Sequence, residues 1–205
     1  MIKEGGDKIK EEGEGEMKNK EELLMWIEKY DNQEDFYNKG DEDELREKFH
    51  KNKFMTKDDL AKIHKWKFQG TLVGRQKRML NLIKDFPSQT IEELSKEAFN
   101  LNDENEKLKL LSKIPSVGNS LSSVILTFYD PQNYGILDIH SWRELFGEEP
   151  KDIFSNKQRL LDFLRKLREI SHETGLSCRE VEKALFKKNI DEAEAKKGEV
   201  RLRRK

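Results

Sequence analysis

The stretch KIPSVGNSLSSVILTFYDPQNYGILDIHSW, residues 113–142, determines how the rest of the chain is interpreted. Pro115 ends a preceding helix over KLKLLSK, because proline lacks the backbone N–H that a helix needs. Gly118 supplies a permissive backbone for a tight turn, and Asn119 is a suitable N-cap for the next helix, NSLSSVILTFY. The stretch therefore predicts two helices joined by a hairpin turn.

This predicted hairpin has the properties of a phosphate-binding turn. The start of its second helix exposes backbone N–H groups, and no acidic residue lies between Lys107 and Tyr129 to repel an anion. Contacts of this kind hold a nucleic-acid backbone without reading its sequence. Any two packed helices need a turn, however, so the hairpin alone identifies no function.

Outside this stretch the apolar residues also recur with helical spacing, and no run alternates as a β-strand would. Gly175 is a predicted C-cap at the end of a long apolar stripe. Three capping-box pairs predict helix starts: Thr56 with Asp59, Thr90 with Glu93, and Ser177 with Glu180. We expect an all-α fold, a helical bundle that contains a helix-hairpin-helix motif.

The sequence divides into three parts. Residues 21–190 are predicted to form a single helical domain, which is large enough to bury a core. Residues 1–20 have no apolar cluster and are interpreted as a disordered lead-in, and residues 191–205 as a basic tail.

Composition excludes several classes of protein. The single Cys178 excludes a disulfide framework, a four-cysteine zinc site and a cysteine-ligated iron–sulfur cluster, which favours a reducing cytoplasm. No apolar run approaches the roughly 20 residues of a membrane span, and residues 1–20 lack a signal-peptide core. We expect a cytoplasmic monomer with no membrane partner.

The charges are segregated although the formal net charge is only −1. Leu60 to Lys84 and Lys107 to Tyr129 contain no acidic residue. Two such stretches can form one face that accepts phosphates. The alternative is a chance gap between solvated helix faces.

Asp138 is placed at a predicted helix start, 18 residues beyond Ser120. In order and spacing, IPSVGNSLS and LDIHSWREL resemble the helix-hairpin-helix DNA glycosylase superfamily. Its hairpin reads roughly L-P-G-V-G-x-x-T-A, and its catalytic Asp follows in a segment like V-D-T-H-V-x-R-V. The resemblance is best over 111–147 and fainter over 56–110. It implies a base-excision repair enzyme, with Asp138 as the catalytic residue and lesion-bearing duplex DNA as the partner.

The chain departs from the family pattern in ways that bear on its chemistry. Ser116 replaces the first glycine of the hairpin, and the connection over 85–112 is short. Lyase members carry a Schiff-base lysine at the position of Ser120, and some members bind an iron–sulfur cluster through cysteines absent here. The resemblance thus implies a monofunctional hydrolase that requires no cofactor. A monovalent cation held by hairpin carbonyls is implied by the resemblance alone.

The predicted DNA-contacting residues include the hairpin and four residues outside it. They are Lys113, Ile114, Pro115, Ser116, Val117, Gly118, Asn119 and Ser120, together with Lys65, Lys67, Gln69 and Arg143. Gln69, in WKFQGTLVGRQ, is the expected minor-groove residue by resemblance. The predicted base pocket comprises Tyr129, His140 and Trp142. No metal site is predicted, because the four histidines are scattered.

Alternatives remain open at each position. Asp138 also suits a helix N-cap, Trp142 the core, His140 a packing role, and each cation ordinary solvation. The leading interpretation is a monofunctional DNA glycosylase that removes a damaged or deaminated base. The alternatives are a non-catalytic helix-hairpin-helix DNA-binding protein and a helical protein-interaction domain. An acid beyond the hairpin favours the enzyme over the first, and the acid-free stretches favour DNA over the second.

Overall fold

The computed structural model describes residues 19–32, 39–69, 73–148 and 150–202. Over these ranges the chain forms ten α-helices and no β-strand, which confirms the all-α prediction. The helices are α1 (Lys20–Asp31), α2 (Lys39–Asn52), α3 (Lys57–Lys67), α4 (Val73–Lys84), α5 (Ser88–Asn100), α6 (Glu104–Leu111), α7 (Asn119–Tyr129), α8 (Ile139–Phe146), α9 (Lys157–Thr174) and α10 (Cys178–Leu202).

One cluster of buried apolar side chains includes residues from all ten helices. Helix α7 lies at its centre, because every residue from Leu121 to Phe128 is buried. Burial on all sides explains why this segment has no charge. Only the N-terminal part of the second acid-free stretch is therefore available to a phosphate.

The helix ends follow the predicted caps at most positions. Thr56 and Asp59 form the predicted capping box of α3, and Ser177 and Glu180 exchange the same pair of bonds at the start of α10. Gly175 ends α9 in the left-handed conformation, with φ 71°. These predictions are confirmed.

The predicted start of α5 at Thr90 is wrong. The helix begins at Ser88, and its N-cap, Pro87, makes no side-chain capping bond. The carbonyl of Pro87 accepts the bond from the N–H of Ile91 at 3.4 Å, so Thr90 already lies inside the first turn. Proline is compatible with this place because its fixed φ suits a helix entry.

The turn between α6 and α7 spans residues 112–118 and differs in detail from the expectation. Its left-handed residue is Ser116, with φ 71°, whereas Gly118 is extended at φ −99° and ψ −171°. Gly118, not Asn119, is the N-cap of α7, and it provides no side-chain bond. The glycine is therefore not needed for the shape of this turn.

The last helix extends beyond the C-terminal boundary of the predicted domain. Helix α10 passes residue 190 and continues to Leu202, so most of the expected basic tail is helical. Residues 1–18 of the expected lead-in and residues 203–205 lie outside the described part of the chain. In the described ranges, no helix is both long and apolar enough to cross a membrane.

Candidate functional site

Asp138 is the N-cap of α8, as predicted. Its Oδ1 accepts a hydrogen bond from the backbone N–H of His140 at 3.0 Å. Its Oδ2 lies 3.3 Å from Nζ of Lys67, which comes from the last turn of α3. The side chain of Asp138 is 19% exposed and that of Lys67 is 8% exposed, so the pair lies at the protein surface but is largely shielded from water.

The surroundings of Asp138 keep its carboxylate charged. Burial alone would raise the pKa of Asp138, but the Lys67 ammonium and the N–H of His140 outweigh it and hold the pKa below its usual range. Asp138 is therefore an anion at neutral pH. A fixed, partly desolvated anion is the group needed to stabilise a positive charge that develops in its vicinity.

A serine connects Asp138 to the start of α7. The buried Ser123 accepts a hydrogen bond at its Oγ from the N–H of Leu137 at 2.9 Å. The same hydroxyl donates to the carbonyl of Ser120 at 2.7 Å. The residue before the carboxylate is thus attached to the first turn of the helix that follows the 112–118 turn. Two successive hydrogen bonds, from Leu137 to Ser123 and from Ser123 to Ser120, therefore connect the segment before Asp138 to the start of α7.

The segment leading to Asp138 is also fixed from the other side. A Cβ on Gly135 would meet Cδ1 of Leu167 at 2.4 Å and the carbonyl oxygen of Cys178 at 3.2 Å, so only glycine fits without a shift. The N–H of Cys178 in turn donates to the carbonyl of Gln132 at 3.1 Å. Helices α9 and α10 therefore determine where Asp138 lies.

A buried charged group lies close beneath the Lys67–Asp138 pair. Glu182 of α10 accepts a hydrogen bond from Oγ of Ser141 at 3.1 Å and pairs with Arg179. Burial raises the pKa of Glu182, and the nearby Arg179 and Lys67 offset this only in part. Arg179 also binds both carboxylate oxygens of Glu42, at 2.9 and 2.7 Å. This network links α2, α8 and α10 under the candidate site.

The 112–118 turn is attached to α3 by a polar contact. A hydrogen bond of 2.8 Å joins Nε2 of His64 to Oγ of Ser116. His64 is fully buried, and burial lowers its pKa to about 4, so the imidazole is neutral at physiological pH. Left-handed backbone costs a residue other than glycine roughly 1–2 kcal/mol, so Ser116 keeps this conformation because neighbouring groups hold it.

The surface above Gly118 is open. A Cβ at this position would have no heavy atom within 4 Å, and its extended backbone is accessible to any residue. Neither packing nor conformation requires glycine here. The first N–H groups of α7 have no acceptor within the helix, and no side chain in the described part of the chain caps them. A ligand oxygen can therefore approach these donors closely.

The remaining predicted DNA-contacting residues fall into three groups by their exposure. Lys65, Gln69, Lys113 and Arg143 have exposed side chains, as a contact residue requires. Ile114 and Val117 are buried in the core and fix the turn from below; their side chains do not face solvent. Pro115, Asn119 and Ser120 are partly exposed.

The predicted base-pocket residues do not come together. Trp142 is buried, donates from Nε1 to the carbonyl of Glu148 at 3.0 Å and packs on Phe146. Nδ1 of His140 lies 3.0 Å from Oδ1 of Asn189 on α10. Both residues follow Asp138 in α8, and their rings make hydrogen bonds within the protein.

Tyr129 lies in a different part of the molecule. It occupies the C-terminal end of α7, where its ring stacks on Phe99 with centroids 4.0 Å apart. The ring of His50 is stacked 5.8 Å from it. Tyr129 belongs to a cluster formed with α2 and α5, and the structure does not bring it to Asp138.

Two further features of the described residues bear on ligands. The described residues contain no group of three or more His, Cys, Asp or Glu side chains able to hold a metal ion. A cleft of about 700 Å³ lies between α6 and α9, away from Asp138. Several of its charged side chains are paired with each other, as Arg168 is with Glu104.

Sequence reasoning did not identify the positioning roles of His64, Ser123 and Glu182. Each acts through a contact to a distant part of the chain, and no local motif indicates such a contact. It also treated Lys67 as a phosphate contact, whereas its ammonium pairs with Asp138.

No protein-family model, no curated protein and no solved structure matches this chain.

Proposed function

We propose that this protein is a DNA glycosylase that binds duplex DNA through the 112–118 turn and removes a damaged or deaminated base. The observation that supports the proposal is the hydrogen bond from the N–H of Leu137 to Ser123, which ties the residue before Asp138 to helix α7. A phosphate bound at that helix start would bring a deoxyribose towards the carboxylate. The proposal also rests on the resemblance of 111–147 to helix-hairpin-helix glycosylases.

The proposed chemistry uses Asp138 as an electrostatic catalyst. When the base leaves, the sugar develops oxocarbenium-like positive charge, as in other glycoside hydrolysis. An anionic carboxylate beside C1′ stabilises this charge and orients the attacking water. The target nucleotide has to leave the base stack first, because its glycosidic bond is inaccessible inside a duplex.

We propose water as the nucleophile, so the enzyme is monofunctional. Ser120 occupies the position at which lyase relatives carry lysine, and a hydroxyl forms no Schiff base. Lys67 approaches Asp138 from α3 instead of α7 and is held in an ion pair with it. Its role in this proposal is to keep Asp138 ionised.

Phosphate contacts come from two sources. The exposed Lys65, Lys113 and Arg143 supply positive charge, and the start of α7 supplies backbone N–H donors. The carbonyls of Lys113, Pro115 and Ser116 accept no hydrogen bond from the described residues. Neutral carbonyl oxygens fit a monovalent cation, which would add positive charge at the turn. We further propose that the protein acts as a cytoplasmic monomer.

One observation favours a second function, DNA binding without catalysis. Both oxygens of Asp138 already have partners within the protein, the N–H of His140 and the Lys67 ammonium. A carboxylate that only caps α8 and pairs with Lys67 would look the same. The two functions differ in whether a base is released.

The test uses duplexes that carry uracil, hypoxanthine, 8-oxoguanine or an alkylated purine, with enzyme in excess. We expect one of them to lose its base and to yield an abasic strand that breaks only after heating in alkali. If the duplexes bind but none loses a base, the non-catalytic function is the correct one. If no duplex binds in low salt, both functions fail.

A trapping experiment tests the hydrolytic mechanism. We expect no covalent protein–DNA adduct when borohydride is added during the reaction. An adduct that disappears in Lys67→Arg would show that Lys67, and not water, attacks the sugar. Lys65→Arg is the matched control, because Lys65 lies on the same helix with an exposed side chain.

A further inference from the structure

We infer that His64 is a positioning residue for the 112–118 turn: its hydrogen bond to Ser116 holds this residue in the left-handed conformation that the phosphate-binding shape requires. The inference rests on the proposed function for its DNA readout. Its structural part, the dependence of the turn on His64, stands independently of DNA.

The first argument is the mismatch between residue and conformation. Ser116 is one of two described residues other than glycine with positive φ, and it has the strained value of 71°. The N–H of Val117 bonds to the carbonyl of Ile114 at 3.1 Å, which closes the turn but does not contact the Ser116 side chain. Among the described residues, the polar contact of that side chain is its bond to His64, which lies on a helix 52 residues earlier.

The second argument is the incomplete bonding of His64 itself. Its Nδ1 is buried and has no hydrogen-bond partner among the described residues. Burying an unsatisfied ring nitrogen is unfavourable, and an apolar side chain would fill the same space without that loss. The polar contribution of this imidazole is therefore its single bond to Ser116.

The third argument is the rigidity of the support. His64 is fully buried within α3, and its ring stacks on Phe68 with centroids 6.0 Å apart. Burial also lowers its pKa to about 4, so the ring is uncharged when DNA is bound at neutral pH. A neutral, immobile ring at the end of a hydrogen bond fixes the position of the Ser116 hydroxyl.

A matched pair of variants tests the inference. Ser116→Ala and Ser116→Gly both remove the hydroxyl, but only glycine adopts a left-handed backbone without strain. We expect Ser116→Ala to weaken binding to a lesion-free duplex by roughly tenfold, which corresponds to the loss of one ordinary hydrogen bond. We expect Ser116→Gly to bind within about twofold of the wild type.

Substitutions at His64 provide the second arm. His64→Leu should weaken DNA binding as Ser116→Ala does, and the double variant His64→Leu, Ser116→Gly should recover it. The conservative His64→Gln, which keeps a hydrogen-bonding group, should lie between His64→Leu and the wild type. Melting temperatures show that the variants are folded; if His64→Leu is not, the Ser116 pair decides alone.

The outcomes separate the inference from the proposed function. Equal binding by Ser116→Ala and Ser116→Gly would overturn the inference, as would a double variant no better than His64→Leu. If the wild type binds no DNA, the proposed function fails, and amide hydrogen exchange of residues 112–118 without DNA becomes the readout. Faster exchange in Ser116→Ala than in Ser116→Gly would support the inference there, and equal exchange would overturn it.

Discussion

The carboxylate of Asp138 has two partners, and each affects how it can act. The N–H of His140 fixes its orientation, and Lys67 keeps it ionised. Lys67 also neutralises part of its charge, so in the proposed reaction a developing sugar cation would compete with the ammonium for the carboxylate. The competition involves only these two side chains and the sugar, and substitution of Asp138 tests its outcome.

His64 gives a pH-dependent prediction at the scale of one residue. Its pKa is about 4 in the folded protein, against about 6.5 for an exposed histidine. Below pH 6.5 His64 is protonated in the unfolded chain but remains neutral in the folded protein. The free energy of unfolding therefore decreases as the pH falls from 6.5 towards 4. We expect the wild type to lose about 2 kcal/mol relative to His64→Gln between about pH 7 and pH 5.

Urea unfolding of both proteins at each pH measures this difference. Acidic groups such as Asp138 and Glu42, whose pKa values are lowered in the folded protein, also make the protein less stable in acid. They do so in both proteins, so their effect cancels in the comparison. Parallel stability curves would show that His64 titrates normally in the folded state.

Residue type alone could not show that the basic side chains differ in their surroundings. Lys65, Lys67 and Lys113 look alike in the sequence, and all three were predicted to contact phosphates. The structure pairs Lys67 with a carboxylate 71 residues away and shields its side chain from water, whereas the side chains of Lys65 and Lys113 are exposed to solvent. Such a long-range partner depends on the tertiary packing that brings the end of α3 to the start of α8.

At the scale of elements, the sequence predicts helix α7 and the start of α8 correctly. Apolar spacing and the N-cap preference of Asp138 are local signals, and local signals are sufficient for both. The shape of the turn was assigned to Gly118 and in fact depends on Ser116, because its support comes from His64 on another helix. The sequence pattern therefore predicted that a turn exists but not which residue carries its strain.

Gly118 provides a prediction about the turn as a unit. The position is extended and open, so Gly118→Ala should leave the melting temperature nearly unchanged. Alanine caps a helix less well than glycine, but it also reduces the freedom of the unfolded chain, and the two effects oppose each other. The added methyl group would nevertheless block a phosphate at the start of α7. We expect duplex binding to weaken by roughly tenfold, or about 1.4 kcal/mol.

Fluorescence anisotropy with a labelled duplex and a thermal melt on the same preparation decide this point. Unchanged affinity in a folded Gly118→Ala protein would mean that DNA does not approach this helix start.

At the scale of the whole molecule, a net charge of −1 conceals an uneven distribution. Part of the acid-free signal in the sequence arises from burial, since α7 is central in the core. The helical class was predictable because apolar periodicity extends along most of the chain. The network that joins Arg179 to Glu42, 137 residues away, was not, because it depends on the tertiary fold that brings these two side chains together.

The salt dependence of the affinity for DNA measures how many phosphates the protein surface contacts. The logarithm of affinity should fall linearly with the logarithm of salt concentration, with a slope of about −0.9 for each phosphate contacted. Lys113→Ala should make this slope shallower by about 1. Lys166→Ala is the control, because Lys166 is exposed on α9 and already pairs with Glu169 at 2.9 Å. Equal slopes for the two variants would show that Lys113 does not contact a phosphate.

The most direct test of the proposed enzyme is the single-turnover rate of base release by Asp138→Asn, on the duplex that the wild type processes. Asparagine caps a helix about as well as aspartate, so folding and DNA binding should persist, as a melting curve and a binding titration will show. Excision should fall by roughly 100-fold or more, the scale expected when one preorganised electrostatic group is removed. A folded, DNA-binding Asp138→Asn protein that releases the base at the wild-type rate would contradict the account.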